Sequence, residues 1–274
     1  MYRTRRLATL ARSLRLLRSF RYEQFRPRIF YSGLARDTFL LLDASLNDLT
    51  ATTLNTAAVL DVGGGPGYFA EEFARMFPGG WYVGMEPSVS EMSAAGISGY
   101  GAVRGDAVAL PFADNFFDLV FSSNVAEHIP DWQAMGEEML RVVKPGGLVV
   151  LSYTVWLGPF GGHETGLWQH YVGGEFARRR YERIHGHAPK NVWGDSLFAV
   201  SAAEGLRWGR EVGSARVVGD GRAVDGGRAG SARPGARLAA AFPRYHPWWA
   251  WWLVHIPVVR EFLVSNLVLV LLKE

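Results

Sequence analysis

A glycine-rich segment has the clearest chemical potential in this sequence. Asp61 precedes four closely spaced glycines, Gly63, Gly64, Gly65 and Gly67. Residues without side chains let the backbone turn sharply and approach a ligand, and the start of a following helix offers unpaired N–H groups. The pattern therefore predicts a small-molecule site. A dinucleotide fingerprint would need its third glycine where Tyr68 stands, so NAD and FAD are disfavoured.

A second group of reactive side chains follows a predicted strand at residues 148–153. His163 and Glu164 lie in a glycine-rich loop, and His170 comes shortly after them. A histidine with a pKa near neutrality can take a proton from a hydroxyl group. We take His163 as the first candidate for a catalytic base, with Glu164 and His170 behind it. The alternative is that all three are ordinary surface residues of the loop.

Metal and thiol chemistry are not expected. The chain has no cysteine, which excludes disulfides, thiolate nucleophiles and cysteine-based zinc sites. Histidines 163, 170, 185 and 187 cluster in one region, but their spacing matches no ligand motif, so we predict no metal site. Glu127 and His128 resemble an acid/base pair. Their place after a predicted strand favours a packing or ligand-capping role instead.

Strand and helix patterns alternate through most of the chain, which predicts a Rossmann-like α/β fold with a doubly wound, mostly parallel sheet. The predicted strands are residues 57–62, 81–85, 101–104, 117–122, 148–153 and 267–272, with a weak strand at 215–218. The predicted helices are residues 4–20, 35–46, 68–77, 131–143, 196–208 and 245–263, with another that opens near Pro87. We expect a turn at 144–147 and a loop at 219–235, and we expect the last strand to close the sheet edge.

The glycine segment resembles motif I of class I S-adenosylmethionine-dependent methyltransferases of the type 11 kind, and the resemblance covers residues 57–154. In that family an acid at the end of the second strand binds the ribose hydroxyls, which implies this role for Glu86 beside Pro87. An aspartate after the third strand meets the adenine amino group, which implies Asp106, followed by Ala107. The residues after the fourth strand lie beside the methionine portion, and Asn124 is the candidate there. S-adenosylmethionine is thus the expected cofactor, bound also by Asp61 and the glycines.

Two segments suggest a membrane surface. The N-terminal segment combines leucines at helical spacing with many arginines, although the whole chain has a net charge of only +3. Residues 248–252 contain four tryptophans beside cationic residues. The alternatives are that the leucines pack on the sheet as a lid and that the tryptophans fill a helical cap. Charged residues interrupt every long apolar run, so we expect neither a secretory signal nor a transmembrane helix.

The segments from residue 158 onward resemble actinobacterial methyltransferases of the cell envelope, which implies a lipid or glycolipid acceptor. We therefore expect a cytoplasmic enzyme, peripheral on the inner face of the cell membrane, that methylates such an acceptor on oxygen. Residues 1–48 would form the basic N-terminal helices, and residues 49–274 the methyltransferase domain. Within that domain, residues 57–154 are the cofactor core, and residues 158–194 and 240–265 are additions facing acceptor and membrane.

Two other functions stay open from the sequence. One is a non-catalytic protein that binds the cofactor and acts as a scaffold in envelope lipid handling. The other is an RNA or DNA methyltransferase, which is disfavoured because the basic N-terminal segment lacks interleaved aromatic residues and no nucleic-acid-binding module is recognisable.

Overall fold

One seven-stranded sheet organises the protein. The computed structural model describes residues 1–23, 25–96, 101–214 and 235–274. The strands among them are β1 (Ala58–Val62), β2 (Trp81–Met85), β3 (Gly101–Val103), β4 (Phe117–Ser123), β5 (Val143–Thr154), β6 (Ala236–Pro243) and β7 (Asn266–Lys273). Their spatial order is β3-β2-β1-β4-β5-β7-β6. The predicted strand at 215–218 and the predicted loop at 219–235, except Gly235, lie outside the described residues.

The winding of the sheet reverses between β1 and β4. Strands β1 to β5 run parallel, whereas β7 runs antiparallel to both of its neighbours. From β1 the chain moves outward to β2 and β3, then returns to place β4 and β5 on the other side. Ligands of such sheets bind beyond the carboxyl ends of the strands at this reversal. The Rossmann-like α/β prediction is confirmed.

Helices cover both faces of the sheet. They are α1 (Tyr2–Leu7), α2 (Leu10–Ser19), α3 (Pro27–Leu49), α4 (Tyr68–Met76), α5 (Val89–Ser93), α6 (Trp132–Val142), α7 (Gln169–Val172), α8 (Gly174–His185), α9 (Ala202–Ser214) and α10 (Val259–Leu263). One core cluster joins the sheet to α3 and α4 through Phe39 and Phe73. The other joins it to α6 and α9 through Met139 and Trp208. Strands buried on both faces explain the continuous apolar runs in the sequence.

The N-terminal prediction needs two corrections. The single helix expected at residues 4–20 is two helices, because Thr9 caps the second one by accepting a hydrogen bond from the Arg12 N–H (3.2 Å). The next helix starts at Pro27 rather than Ala35, and proline is favoured in a first helical turn. Helix α2 buries Arg12 and Leu16, and it exposes its other leucines, Leu10, Leu14 and Leu17.

The C-terminal half departs further from the predictions. The helix expected at 196–208 is Ala202–Ser214, and it begins after a capping box in which Ser201 and Glu204 hydrogen-bond reciprocally. The expected helix at 245–263 is a 3₁₀ helix (Trp248–His255) followed by α10, with Pro257 between them. The residues of the expected turn, 144–147, belong to β5, where the pairing of β5 with β4 shifts its register.

Further elements differ from the sequence interpretation. Helices α7 and α8 and strand β6 were not predicted. Strand β7 lies between β5 and β6, so β6 forms the edge that β7 was expected to close.

None of the described helices combines the length and apolar character needed to cross a bilayer.

A buried ion pair attaches α2 to the body of the protein. The Arg12 guanidinium donates to both carboxylate oxygens of Asp37 on α3, at 2.9 and 2.6 Å, and to the backbone carbonyl of Arg244 at 3.0 Å. The two side chains of the pair are 7 % and 6 % exposed. The bidentate geometry fixes the helix rotation that places Leu10, Leu14 and Leu17 in solvent.

Arg12→Ala should destabilise the protein strongly because it leaves the buried Asp37 carboxylate without its guanidinium. Breaking one side of a buried pair costs about 3–5 kcal/mol. We expect the free energy of unfolding in urea to fall by about this amount. Arg15→Ala, on the exposed side of the same helix, should change it by less than about 0.5 kcal/mol. Similar small losses in both variants would contradict a structural role for the pair.

Candidate functional site

The glycine loop after β1 is held tightly against the end of β2. The backbone N–H groups of Gly63 and Gly64 both donate to the Met85 carbonyl, at 2.8 and 3.0 Å. Gly63 and Gly65 have φ values of +86° and +56°, which side chains disfavour. A Cβ at Gly63 would lie 2.4 Å from the Val125 side chain. The glycines are therefore required both for the turn and for the close approach of backbone segments.

Asp61 lies beneath this loop and is fully buried. Its carboxylate accepts a hydrogen bond of 2.6 Å from the Tyr82 hydroxyl. The pKa of Asp61 is raised to about 7, mainly by burial; the Tyr82 hydrogen bond opposes this rise and the nearby carboxylate of Glu86 adds to it. Asp61 is absent from the described walls of the two cavities beside the loop. It thus supports the loop from below, and the contact with the cofactor that the sequence suggested stays a prediction.

Glu86 stands at the mouth of the first of these cavities. One carboxylate oxygen accepts from the Gly65 N–H at 3.3 Å and the other from the Ser88 N–H at 3.2 Å. Burial is the main reason why the pKa of Glu86 is raised. The cavity has a volume of about 450 Å³, and Met92 and Arg104 are also in its wall. A carboxylate held at a glycine loop is suited to accepting hydrogen bonds from sugar hydroxyls.

A second, larger cavity of about 810 Å³ lies on the other side of the loop and shares Gly64 and Gly65 with the first. Asn124, which follows β4 with a φ of +59°, lies in its wall. The Asn124 side-chain oxygen accepts from the Asn266 amide at 2.7 Å, which fixes its orientation. Part of the wall is formed by eight aromatic side chains, Phe20, Phe30, Tyr31, Tyr68, Phe69, Phe160, Tyr181 and Tyr245.

The predicted catalytic residues separate in the structure. His163 lies in the wall of the larger cavity, and burial lowers its pKa, so its imidazole is neutral at neutral pH. Glu164 is in the same wall, but both its oxygens hold Asn191, at 2.6 and 2.9 Å. His170 is buried, and its Nε2 lies 3.1 Å from the Gly158 carbonyl oxygen. It is not among the residues that line the cavity. Of the three, only His163 lines the cavity with a ring nitrogen, Nε2, that has no hydrogen-bond partner among the described residues.

Other predicted contacts also lie away from the described cavity walls. Asp106 accepts a hydrogen bond from the Val108 N–H at 3.1 Å, Ala107 is buried, and the Pro87 carbonyl accepts from Arg104 at 3.2 Å. None of these three residues lines either cavity. Their contact with a cofactor therefore stays a prediction.

Sequence reasoning missed part of the larger cavity. Phe20 and Glu23 reach its wall from the N-terminal segment, and Tyr245 reaches it from the segment after β6. The rings of Phe20 and Tyr245 lie 5.6 Å apart, edge to face. No local motif marks these residues, because chain segments more than two hundred residues apart meet there.

Comparison with known proteins decides the family. A profile of the methyltransferase domain matches residues 60–151. The chain is 55 % identical over 268 residues to a protein of Mycolicibacterium gilvum described as an uncharacterized methyltransferase, covering 96 % of this chain and 95 % of that protein. It is 56 % identical over 275 residues to one of Mycobacterium tuberculosis with the same description, covering 97 % and 96 %. The chain belongs to this methyltransferase family.

As expected from the glycine segment, the protein is a class I methyltransferase that depends on S-adenosylmethionine, and its relatives are actinobacterial. The fold is also similar to a Haloferax volcanii structure, in which the methyltransferase activator Trm112 is bound to a protein described as a methyltransferase. That likeness has a TM-score of 0.50 at 16 % identity and covers 93 % of each chain. At such low identity it bears on the fold alone.

The geometry of the methyltransferase site fits its cofactor. A Cβ at Gly64 would come within 3.2 Å of the Gly84 backbone, so the loop presents bare main chain between the two cavities. Glu86 provides a carboxylate on one side, and Asn124 provides an amide on the other. A long molecule with a sugar at its centre and a polar amino acid at one end could meet all of these groups.

Asp61 gives the methyltransferase a predictable pH dependence of stability. Its pKa is about 7 in the folded protein and about 4 in an unfolded chain. Between these values the unfolded chain loses its proton first, so stability falls as pH rises and is level above about 7. In Asp61→Asn, which retains an acceptor for Tyr82, this fall is absent. The melting temperature of the wild type should therefore drop relative to that of the variant between about pH 5 and 7.5, and parallel curves would contradict the shift.

Proposed function

We propose that the methyltransferase transfers the methyl group of S-adenosylmethionine to a hydroxyl group of a lipid or glycolipid acceptor at a membrane surface. The main support is the position of the larger cavity. The aromatic part of its wall suits an apolar acceptor, and two segments of that part continue directly into an exposed apolar surface. Phe20 follows helix α2, and Tyr245 shortly precedes the 3₁₀ helix Trp248–His255.

This exposed surface, here termed the Leu/Trp face, combines leucines of helix α2 with tryptophans of the 3₁₀ helix Trp248–His255. The Trp248 N–H donates to the Ala8 carbonyl at 2.8 Å, so the 3₁₀ helix adjoins the N-terminal helices. Each of its members is at least 38 % exposed, although large apolar side chains are usually buried. Exposed arginines, including Arg15 and Arg18, lie on the same helix as the leucines. The Leu/Trp face consists of Leu10, Leu14, Leu17, Trp248, Trp249 and Trp252.

The chemistry of transfer requires little from protein side chains. S-adenosylmethionine supplies a methyl group on a sulfonium, whose departure leaves a neutral thioether. The chain holds the donor through Glu86, Asn124 and the bare glycine loop, and it holds the acceptor in the larger cavity so that the two approach in line. The acceptor hydroxyl must lose its proton as the carbon–oxygen bond forms. His163, neutral and in the cavity wall, is the group best placed to assist that loss.

Glu86→Ala should weaken binding of S-adenosylhomocysteine, the product that retains the ribose. Hydrogen bonds to a charged group contribute about 1.5–3 kcal/mol, so the dissociation constant should rise roughly ten- to a hundredfold. Isothermal titration calorimetry measures this directly. Glu211→Ala, an exposed glutamate on α9 outside both cavity walls, should bind like the wild type. Unchanged affinity in Glu86→Ala would remove Glu86 from the cofactor site.

Replacing Trp248, Trp249 and Trp252 together with serine should abolish flotation of the protein with anionic liposomes. The loss is expected because interfacial binding scales with the apolar area that enters the headgroup region. Trp81→Ser is the matched control, since Trp81 is 50 % exposed but stands at the amino end of β2, away from the cavities.

Two results of the flotation experiment would count against the membrane proposal. One is wild-type protein that stays with the soluble fraction, and the other is equal loss in the control. Salt-dependent binding to RNA or DNA in the same preparation would favour nucleic acid as the acceptor instead.

A further inference from the structure

One cluster of side chains at the larger cavity, where His128 and His163 form part of the wall, has two buried polar atoms with no hydrogen-bond partner among the described residues. Glu127 and His128 lie in the 3₁₀ helix after β4 (Ala126–His128), and His163 opens the one after β5 (His163–Thr165). One potential ligand atom from each residue lies within 4.8 Å of the other two. We propose that these three side chains bind a divalent first-row transition-metal ion, such as Zn²⁺, at the acceptor side of the site.

Glu127 is the strongest support for a cation. It is 1 % exposed. One carboxylate oxygen accepts a hydrogen bond from the Thr154 N–H at 3.1 Å, and the other is buried with no partner among the described residues. A buried, unpaired carboxylate oxygen is costly. A metal ion would satisfy it, and the bond to Thr154 would hold the carboxylate in place.

His128 is oriented as a metal ligand. Its Nδ1 lies 2.6 Å from the Ser196 carbonyl oxygen. Because a carbonyl can only accept, Nδ1 must carry the hydrogen, which leaves the lone pair of the neutral ring on Nε2. Metal-binding histidines are commonly fixed by such a bond from the other ring nitrogen to a carbonyl.

His163 supplies the third ligand. Its Nε2 is buried and has no hydrogen-bond partner among the described residues. The backbone of His163 has a φ of +47°, an unfavourable value for a residue with a side chain. Strain of this kind collects at functional sites, and here it accompanies a ring whose centroid is 5.2 Å from that of His128.

The ligand set leaves room for an acceptor. Two imidazoles and one carboxylate occupy three positions, and such sites keep others open for water or substrate. Ligand atoms about 2.1 Å from one metal ion lie at most about 4.2 Å apart, which is close to the limit of 4.8 Å within which the three atoms lie here. His128 and His163 line the same cavity as the glycine loop, so the open positions face the acceptor.

A catalytic role for the ion rests on the proposed function. An acceptor hydroxyl bound to the metal would have a lowered pKa and would release its proton to water. The oxygen would then take the methyl group as the carbon–sulfur bond breaks, with no change in the oxidation state of the metal. In this arrangement His163 assists proton loss by holding the ion, and it does not itself accept the proton.

This proposal departs from the sequence expectation of no metal. The histidines considered there do not converge: His170 bonds to Gly158, whereas His185 and His187 lie beside the ring of Tyr181. Of those four only His163 is a ligand here; the other two ligands lie in the 3₁₀ helix after β4, which the pairing of β4 with β5 brings close to it.

The test is calorimetric titration of chelator-treated, full-length protein with Zn²⁺, supported by the visible absorption of Co²⁺. The wild type should bind one ion. His128→Ala and Glu127→Gln should each weaken binding at least about tenfold, whereas His187→Ala, an exposed histidine of the same cavity, should bind normally. Affinity for S-adenosylhomocysteine should persist in all variants, which shows that they are folded.

The outcomes separate the two proposals. Absent or non-stoichiometric Zn²⁺ binding, or equal loss in His187→Ala, would overturn the metal site while cofactor binding leaves the methyltransferase intact. If Glu127→Gln fails to fold, His128→Ala decides. Stoichiometric Zn²⁺ binding in a protein that methylates no hydroxyl-bearing lipid would support the metal site and contradict the proposed acceptor.

Discussion

The bonds that tie the glycine loop to the end of β2 are the constraint on which the site depends. Because both Gly63 and Gly64 donate to the Met85 carbonyl, the loop lies directly against the end of β2. Any side chain at Gly63 would collide with Val125, and one at Gly64 would press on the Gly84 backbone. The loop therefore exposes main chain to two cavities at once, one toward β2 and β3 and one toward β4 and β5.

The N-terminal helices and the segment after β6 shape the larger of these cavities. The buried pair of Arg12 and Asp37 sets the rotation of α2, and that rotation exposes the leucines of the Leu/Trp face. The same guanidinium bonds to the carbonyl of Arg244, next to the cavity residue Tyr245. One buried contact thus links the N-terminal helices, the segment after β6 and the cavity wall.

Local signals in the sequence predicted the core well. The strand Trp81–Met85 agrees at both ends, and the helix that starts at Tyr68 was expected there, because apolar periodicity and the glycines are local properties. The capping box at Ser201 and Glu204 was also readable but was overlooked. The sequence could not show whether the leucines of α2 are exposed or packed on the sheet. Their exposure depends on the pairing of Arg12 with Asp37, which lies 25 positions away. The cluster of Glu127, His128 and His163 was equally hidden, because strand pairing, and not spacing, brings it together.

The account is tested most directly by a side chain placed on the loop where only a ligand would meet it. A Cβ at Gly65 would meet no described protein atom within 4 Å, and Gly146, in the register shift of β5, has a similarly positive φ and equally open surroundings. Gly65→Ala and Gly146→Ala thus impose the same kind of backbone strain, and S-adenosylhomocysteine binding can be compared by calorimetry. We expect at least about a tenfold loss of affinity, or about 1.4 kcal/mol, in Gly65→Ala alone. Wild-type affinity in Gly65→Ala would contradict the placement of the cofactor against the loop.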